Sequence, residues 1–531
     1  MLCDSPILER WQVATLRELL AGGDAEPAAI VVAEDRPHES APSGGGAFAA
    51  NMQPAARASE ISIDEFVRSA GAAVPTFGVE RENALADLSL DFVLYLGFGP
   101  CDSTRASNAK HGLWRFRFGD AATYPNYPPG VWEVMSGDRV TVAVLCGQHP
   151  LAQVARSLRR GIFATILHQA NANAEHVLAE VAHWPAYVAR NIRLGQHDDD
   201  EEAIAMEAIA APKLPALSIR LRLAWCLLKN TVARLPNLFF EDQWNVGLVD
   251  EPIHRFLTPD ASRRVAWFPN RERNRYFADP MGADVGGAPA VLCEVYDYRT
   301  QLGSICALGV DDGRWRSTAA PTIPTKVHAS YPFLFEEDEV VYCVPETSQA
   351  RKAVLYEVTH LPDGYRAVRV LLPNVACIDP TLFKHENRWW LFCTDATDGE
   401  HMKLLVWYAD DLRAAFVPHA RNPVKIDVRS SRPAGTPFVH DGRLFRPSQD
   451  CSRTYGGAVT INEITQLSPT RFKETAVASI QPFPKSGYGA GLHTLSSFGD
   501  KTLIDGKRRI LTGRGLRDKF AALTGRVQHG R

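Results

Sequence analysis

Acidic and histidine side chains recur at matched positions along the second half of this 531-residue chain. The anchors of the pattern are four prolines and one threonine, which lie 52, 48, 57 and 57 residues apart. The anchors are Pro280, Pro332, Pro380, Pro437 and Thr494, and the polar residues that precede or follow them are Asp279, Glu294, Glu346, Asp379, Asp450 and His493. If these carboxylates crowd together they must repel, so at least one should have a raised pKa or a cationic partner. Arg432 and His493 are the candidates for that partner.

A period near fifty residues, built from short apolar runs and turns, is typical of the blades of a β-propeller. The repeats predict five four-stranded blades over residues 242–507, with a strand near Trp244 helping to close the ring. Equivalent positions of successive blades are related by rotation about the propeller axis. We therefore expect the recurring polar residues to converge at one end of that axis and to form a polar ligand site.

Composition bounds the remaining possibilities. The 45% hydrophobic and 22% charged residues describe a globular chain, and a net charge of −3 argues against a nucleic-acid binder. The ten cysteines form no CxxC pair and no zinc-like spacing, so we expect no metal, a reducing compartment and a cytoplasmic location. No signal peptide is visible, and no uncharged stretch approaches the roughly 20 residues that span a bilayer.

Residues 1–195 alternate strand-like and helix-like patterns, with buried strands predicted at 28–33, 91–98 and 141–145. This alternation predicts a Rossmann-like α/β domain with a parallel sheet. Residues 36–60 are predicted to form a mobile loop, 196–241 a linker and helix, and 508–531 a basic tail. The helix at 217–235 carries arginines and a lysine among leucines. Two interpretations stay open for it: a brace between domains, or a peripheral membrane contact.

The segment from Asp91 to Leu145 resembles the formyltransferases that use formyl-tetrahydrofolate. The matching pieces are residues 91–99, His111-Gly112-Leu113 and the Tyr/Pro-rich stretch 124–134. The resemblance places Arg115 at the family's catalytic Asn, Arg117 at its His, and the Asp position near Gln153. Arginine stays protonated and cannot act as a general base, so we expect no formyl transfer. Both arginines point to one face and either bind a phosphate-bearing partner or serve structure alone.

The repeat region resembles the N-terminal domain of glucosamine inositolphosphorylceramide transferases, which bacterial chains join to a degenerate formyltransferase-like domain. The motifs that carry this resemblance are residues 242–247, 277–280, 331–333, 345–347, 379–383, 432–450 and 491–494. In the plant enzymes the transferase reaction is assigned to a separate C-terminal domain. The resemblance therefore implies glycan or glycolipid biosynthesis more firmly than a particular activity.

That domain is in turn similar to the five-bladed propellers of glycoside hydrolase family 43, which use two Asp and one Glu as base, pKa modulator and acid. Such paired carboxyl groups donate a proton on one side of the bond and stabilise charge or activate water on the other. Asp279 matches the first-blade Asp, whereas the second-blade position is Tyr331. This departure counts against simple hydrolysis. Glu346 and Asp379 are the remaining catalytic candidates.

We therefore expect a carbohydrate-active protein of cell-surface glycan or glycolipid biosynthesis that transfers sugars. Its partner would be a sugar or glycolipid, and no cofactor is expected beyond a possible nucleotide-sugar donor. The alternatives are a non-catalytic sugar-binding scaffold and a family 43-like glycosidase. The predicted substrate-binding residues are Trp244, Tyr331, Arg432, Asp450, Tyr455 and His493, and the predicted phosphate-binding residues are Arg115 and Arg117. The sequence leaves the sugar, the linkage and the oligomeric state open.

Overall fold

The computed structural model describes residues 1–32, 61–70, 74–78, 88–98, 101, 106, 109–119, 128–149, 151–152, 154–196, 203–204, 216–259, 261, 264–270, 272, 274–311 and 314–511. The predicted loop at 36–60, most of the linker at 196–215, the position near Gln153 and the tail beyond residue 511 lie outside these ranges. The chain divides into two compact units, Met1–Ala233 and Arg234–Arg531.

The first unit combines one large sheet with helices. Its strands are β1 Leu2–Cys3, β2 Ile7–Leu8, β3 Ile30–Val32, β4 Ile61–Ser62, β5 Thr76–Gly78, β6 Val93–Leu96, β7 Leu113–Phe118, β8 Val140–Gln148, β9 Ala155–Ala164 and β10 Ala203–Ile204. Its helices are α1 Arg10–Ala21, α2 Ile63–Ala70, α3 Val131–Ser136, α4 Ala170–Val181, α5 Trp184–Arg193 and α6 Ala216–Val232.

The large sheet is mixed, which corrects the prediction of a parallel sheet. Its order is β10-β9-β8-β7-β6-β1-β3-β5. Strands β5, β3, β1, β6 and β7 are parallel neighbours, whereas β7, β8, β9 and β10 pair antiparallel. The antiparallel part includes β9, whose buried residues are interrupted by a partly exposed, arginine-containing stretch. Such half-solvated strands are usual in antiparallel sheets and uncommon in parallel ones.

The second unit is a five-bladed propeller, as the repeats predicted. Its strands are β11 Phe240–Val249, β12 Ala266–Trp267, β13 Arg275–Val285, β14 Ala288–Asp297, β15 Leu302–Asp311, β16 Arg314–Pro321, β17 Ser330–Glu337, β18 Val340–Glu346, β19 Lys352–His360, β20 Gly364–Pro373, β21 Cys377–His385, β22 Arg388–Asp395, β23 Lys403–Ala409, β24 Val417–Pro418, β25 Lys425–Ile426, β26 Phe438–His440, β27 Arg443–Asp450, β28 Ala458–Leu467, β29 Phe472–Ile480, β30 Leu495–Phe498 and β31 Lys501–Leu511. Short 3₁₀ helices occupy Leu235–Leu238, Ile253–Leu257, Ser348–Ala350 and Pro484–Ser486.

The blades follow chain order until the ring closes. Blade I is β13–β16, blade II is β17–β20, blade III is β21–β24 with β25 paired to β23, and blade IV is β26–β29. Blade V is built from both ends of the propeller chain, in the order β12-β11-β31-β30. Within it Trp244 pairs with Lys507 in an antiparallel ladder. The predicted closing strand near Trp244 is therefore confirmed, and apolar side chains fill the spaces between the blades.

The first strands of blades I, II and III share a β-bulge that turns buried side chains toward the propeller axis. Each ladder shifts register at the proline anchor, where proline lacks the N–H that a ladder needs. The residues just before these prolines, Asp279, Tyr331 and Asp379, have φ values of +53°, +41° and +49°. Such values are uncommon for residues other than glycine and cluster at functional sites. The bulge is therefore the local device that positions these three side chains.

Gly435, the residue two positions before Pro437, offers a test of this packing. Its φ is +120°, and a Cβ added there would lie 2.1 Å from the carbonyl oxygen of Leu495. We expect Gly435→Ala to lower the free energy of unfolding by about 3 kcal/mol or more in a urea titration, from backbone strain and overpacking. Gly442→Ala is the matched control, because its φ is +72° with open space around it. That control should cost about 1 kcal/mol, and equal losses for the two variants would contradict this account.

Candidate functional site

Axial side chains accept the backbone amides that the proline bulges leave unpaired. The Asp279 amide donates to Oδ2 of Asp505 at 3.1 Å, and the Tyr331 amide donates to Oδ2 of Asp279 at 3.3 Å. The Asp379 amide donates to Oε2 of Glu346 at 3.1 Å. These hydrogen bonds join blade V to I, I to II and II to III. The carboxyl groups of the site therefore also hold the blades together.

Asp279 lies at the centre of this network and is 4% exposed. Its Oδ1 accepts a hydrogen bond from the Thr494 hydroxyl at 3.1 Å and lies 3.6 Å from Nε2 of His493. Burial raises the pKa of Asp279 to about 6; His493 opposes this shift, while the carboxylates of Asp379 and Asp505 reinforce it. The side chain is therefore ionised at neutral pH but gains a proton in mildly acidic solution, as a general base should.

His493 bridges two carboxylates. Its Nδ1 forms a short ion pair with Asp505, and its ring stacks on the buried Trp244 with 3.9 Å between ring centroids. Burial opposes protonation of His493, but the charges of Asp505 and Asp279 outweigh it and raise the pKa of the imidazole above its usual value. The imidazole is thus a local cation held between two anions.

Asp379 is paired with the one arginine at the axis among the described residues. Nε of Arg432 donates to Oδ2 of Asp379 at 2.5 Å, and Nε2 of Gln449 donates to the same oxygen at 2.8 Å. Arg432 also contacts Nδ1 of His401 at 3.1 Å, and its guanidinium lies 4.9 Å from the centre of the Tyr455 ring. These contacts hold the buried arginine in place.

Two glutamates complete the cluster with raised pKa values. Burial, followed by the charge of Asp379, raises the pKa of Glu346 to about 8, although Arg432 opposes the shift. Burial and the surrounding carboxylates raise the pKa of Glu294 well above its usual range. Glu294 Oε1 lies 3.5 Å from Nε2 of His328, whose Nδ1 accepts the Gly303 amide at 2.9 Å. Glu346 is therefore protonated at neutral pH and can donate a proton, and burial favours the protonated form of Glu294 as well.

Tyr455 marks the side of the cluster that meets solvent. It is 38% exposed, and its ring centroid lies 5.2 Å from that of His493 and 5.7 Å from that of His401. The carboxyl groups beneath are nearly buried. A ligand that reaches them from this side must therefore contact Tyr455.

The structure brings most of the predicted residues together. Hydrogen bonds, ion pairs or close electrostatic interactions connect Asp279, Glu346, Asp379, Arg432 and His493. Asp450 is placed differently: its Oδ1 accepts the Ser452 amide at 2.9 Å, and its charge acts on Arg429. The catalytic and binding roles of these residues stay predictions.

Tyr331 and Trp244 are both buried, and their predicted substrate-binding role stays a prediction. They are 0% and 3% exposed, so neither has a face open to a sugar ring. The Tyr331 hydroxyl instead accepts the Gly435 amide at 2.7 Å and contacts the Thr381 hydroxyl at 2.9 Å. Trp244 supports His493 from below. Both aromatic residues act on the site through their neighbours.

Sequence reasoning missed two members of the cluster, Asp505 and Gln449. Glu294, at the same repeat offset as Glu346, is among the recurring residues that the sequence places at the axis, although it is not one of the predicted catalytic or substrate-binding residues. Asp505 follows its anchor, Thr494, by 11 residues rather than 14, because β30 and β31 form a shorter hairpin without the proline bulge. Gln449 stands next to the predicted Asp450, and the strand alternation points it, rather than Asp450, toward Asp379.

Asp279, His493 and Asp505 are also the described residues that could hold a metal ion, because one ligand atom of each lies within 4.8 Å of the others. Their atoms are already committed to one another and to backbone amides. Asp505 alone accepts three amides, from Asp279, His493 and Thr494. A cation would have to displace these hydrogen bonds.

In the first unit, Arg115 and Arg117 share one face of β7, as predicted. Arg117 is buried, and Nη1 of Arg115 donates to the Cys101 carbonyl at 3.4 Å. The strand pairs parallel with β6 and antiparallel with β8, where Cys146 lies opposite Arg115. Phosphate binding by these arginines stays a prediction.

Comparison with known proteins finds similarity within the propeller region. A family model described as glucosamine inositolphosphorylceramide transferase 1, N-terminal, matches residues 292–490. The transferase 1 of that name from Oryza sativa subsp. japonica is 30% identical over 210 residues, which cover 38% of this chain and 28% of the relative. Its counterpart from Arabidopsis thaliana is 28% identical over 210 residues, which cover 38% of this chain and 27% of the relative. The match thus spans just over a quarter of the relatives' length.

Solved structures similar to the chain include glycoside hydrolases. A thermostable family-43 glycoside hydrolase aligns over 40% of this chain and 78% of its own, with 15% identity and a TM-score of 0.30. A family 117 glycoside hydrolase from Zobellia galactanivorans aligns over 51% and 90%, with 11% identity and a TM-score of 0.32.

The buried proton of Glu346 gives a measurable dependence of stability on pH. Because the pKa is raised in the folded protein, the native state binds more protons than the unfolded chain between about pH 4.5 and pH 8. Stability is therefore lost as pH rises through this window. We expect the free energy of unfolding of Glu346→Gln, measured by urea titration at pH 8, to exceed that of the parent protein by roughly 2–4 kcal/mol. The difference should vanish near pH 4.5.

Glu474→Gln is the control of opposite sign. Glu474 is buried, but Arg446 and Lys425 hold its pKa below the usual value, with the Lys425 ammonium 2.7 Å away. Removing its charge leaves the buried Arg446 and the partly buried Lys425 without their anionic partner, so this variant should be destabilised at pH 8 by about 3–5 kcal/mol. A Glu346→Gln variant that behaves like Glu474→Gln would show that Glu346 is ionised in the native protein.

Proposed function

We propose that the axial site of the propeller binds the sugar portion of a glycan or glycolipid and takes part in sugar transfer. The observation that carries this proposal is the set of five carboxyl groups, one arginine and one histidine gathered at a single axis: Asp279, Glu294, Glu346, Asp379, Asp505, Arg432 and His493. The similarity of residues 292–490 to an inositolphosphorylceramide glycosylating family supports the same substrate class. The transferase activity in the relatives' name is part of this proposal for the present chain.

The protonation states suggest how the residues would divide the work. Asp279 is ionised at neutral pH and would accept the proton of an attacking sugar hydroxyl, whereas Glu346 is protonated and would donate its proton to the leaving-group oxygen. His493 would stabilise the Asp279 carboxylate from Nε2. Asp379, fixed by Arg432 and Gln449, would keep the pKa of Glu346 high.

The excess of acidic groups favours a particular sugar class. The cationic side chains of the cluster, Arg432 and His493, are already paired with carboxylates, so the site offers no unpaired positive charge to a phosphate. Hydroxyl groups and an ammonium, in contrast, would find carboxyl oxygens as acceptors. An amino sugar such as glucosamine, which the relatives' name contains, meets both requirements. We therefore expect the axis to hold the sugar while any phosphate of the ligand lies outside it.

The test is binding of glucosamine and glucose, as free sugars and as nucleotide sugars, measured by thermal shift and calorimetry on the full chain. A ligand at 100 times its Kd should stabilise the protein by about 2.7 kcal/mol.

Asp279→Asn should abolish binding or turnover yet leave the melting temperature unchanged or higher. The asparagine amide group can still form hydrogen bonds with the Tyr331 amide and the Thr494 hydroxyl, and it removes one of the mutually repelling charges. Asp363→Asn, in an exposed turn, is the charge-matched control and should bind normally.

The outcomes separate the three functions. Sugar release to water without an acceptor would identify a glycosidase, and binding without turnover in any assay would identify a non-catalytic sugar-binding protein. If Asp279→Asn unfolds the protein, Asp279 is structural and the site assignment fails.

For the first unit we propose a formyltransferase-like origin without formyl transfer, with Arg115 and Arg117 in place of the catalytic Asn and His. Five parallel strands flanked by an antiparallel extension, and two arginines on one strand face, support this proposal. We expect no formyl transfer from formyl-tetrahydrofolate and weaker binding of phosphate-bearing ligands in an Arg115→Gln variant. Formyl transfer at ordinary enzymatic rates would contradict this account.

We also propose a cytoplasmic location for the protein. Core cysteines such as Cys293 and Cys343 are buried thiols in the blade strands, which suits a reducing compartment. Fractionation of cells that express the full chain would test this location.

A further inference from the structure

Helix α6 has one face that is held by the first unit. Ile219 and Leu223 are buried against α3 and the start of α4, in a cluster with Val131, Val134, Met135 and Ala170. The Asn230 side chain donates to the Leu167 carbonyl at 2.9 Å. This side of the helix is a conventional packing face, so the helix itself is fixed in place.

The opposite face of α6 carries a row of exposed apolar side chains. Leu217, Leu221, Trp225, Leu228 and Val232 are 52–67% exposed. At 3.6 residues per turn they lie within an arc of about 80°. A continuous exposed row of this kind is unusual on a soluble protein surface and marks an interaction site.

Basic residues lie along both edges of this apolar row. Arg222 and Lys229 lie on one edge and Arg220 lies on the other, and all three are exposed. No acidic residue occurs between positions 216 and 234. The face therefore combines apolar side chains at its centre with positive charge on both sides. We call it the α6 face: residues 217, 220, 221, 222, 225, 228, 229 and 232.

We propose that the α6 face is a docking surface for a membrane that contains anionic lipids. A helix lying in the interfacial plane buries its apolar row among the acyl chains while its cationic edges meet the headgroups. A second copy of this chain is a poorer occupant, because its own α6 face would bring like charges together. None of the described helices is long and apolar enough to cross a bilayer, so the contact is with the membrane surface.

The charges on the α6 face predict how strongly lipid composition matters. Each basic residue near an anionic surface contributes roughly a fivefold increase in partitioning. The full chain should float with vesicles of phosphatidylcholine and phosphatidylserine, and far less with phosphatidylcholine alone. Raising the salt concentration should weaken flotation, since the electrostatic part of the attraction is screened.

Trp225 provides a direct optical readout. The chain has 11 tryptophans, all in the part that the structure describes, and Trp225 is the exposed one, at 65%. Its emission should shift to the blue when anionic vesicles are added. Trp225→Phe should retain flotation and lose the spectral shift, which assigns the signal to this helix.

Two variants test the two components of the α6 face. Leu221→Glu combined with Leu228→Glu should reduce flotation at least tenfold, and Arg222→Gln combined with Lys229→Gln should reduce it roughly thirtyfold on anionic vesicles only. The controls are Leu151→Glu, at a site that is 90% exposed in the same unit, and Lys485→Gln, at an exposed site in the propeller. Circular dichroism checks that each variant is folded.

The proposal is overturned if the parent protein does not float with anionic vesicles, or if the α6 variants float as well as their controls. A dimer that dissociates specifically in the Leu221→Glu, Leu228→Glu variant would identify a second copy as the occupant, and would equally overturn the membrane assignment. Sugar binding in the axis is measured without vesicles, so neither result depends on the other proposal.

Discussion

The buried carboxylate of Asp505 is the constraint on which the arrangement of the axis depends. It is 0% exposed, and burying an ion is costly unless hydrogen bonds and charges compensate. Oδ1 accepts the amides of His493 and Thr494, each at 3.0 Å, while Oδ2 accepts the Asp279 amide and pairs with the His493 imidazole. These partners outweigh the effect of burial and lower the pKa of Asp505. Blades V and I are thereby joined through a single charged side chain.

Closing the ring and building the site are therefore one event. Strand β31, which carries Asp505, pairs with β11, which carries Trp244, so the two ends of the propeller chain meet beneath His493. Until this blade forms, His493 has neither its anionic partner nor its stacking surface. A network of buried polar groups that spans all of the blades is stable only when every member is satisfied. The geometry of the candidate site is thus coupled to completion of the fold.

The five-blade architecture and much of the site could be predicted because the repeat fixes equivalent positions. A rotation relates Asp279, Tyr331 and Asp379, so their shared offset in sequence becomes a shared place at the axis. Asp505 escaped prediction because its hairpin has a different length. The burial of Tyr331 and Trp244 also escaped, since aromatic residues look alike in sequence whether they face a ligand or support a histidine. In the first unit, the sequence could not predict strand direction, because an apolar strand such as β8 has the same pattern whether it pairs parallel or antiparallel with its neighbour.

The tyrosine at position 331 has a consistent electrostatic explanation. The Gly435 amide, just before blade IV, donates to the Tyr331 hydroxyl at 2.7 Å, so the phenol accepts this hydrogen bond without adding charge. Five carboxyl groups already share the axis with one arginine and one histidine, and burial has raised the pKa of Asp279 to about 6 and of Glu346 to about 8. A sixth carboxylate at this position would repel both and drive their pKa values higher still. A higher pKa would favour the protonated form of Asp279, which is the form unsuited to its proposed role as a base. The tyrosine thus preserves the difference in pKa between Asp279 and Glu346 on which the proposed proton transfer rests.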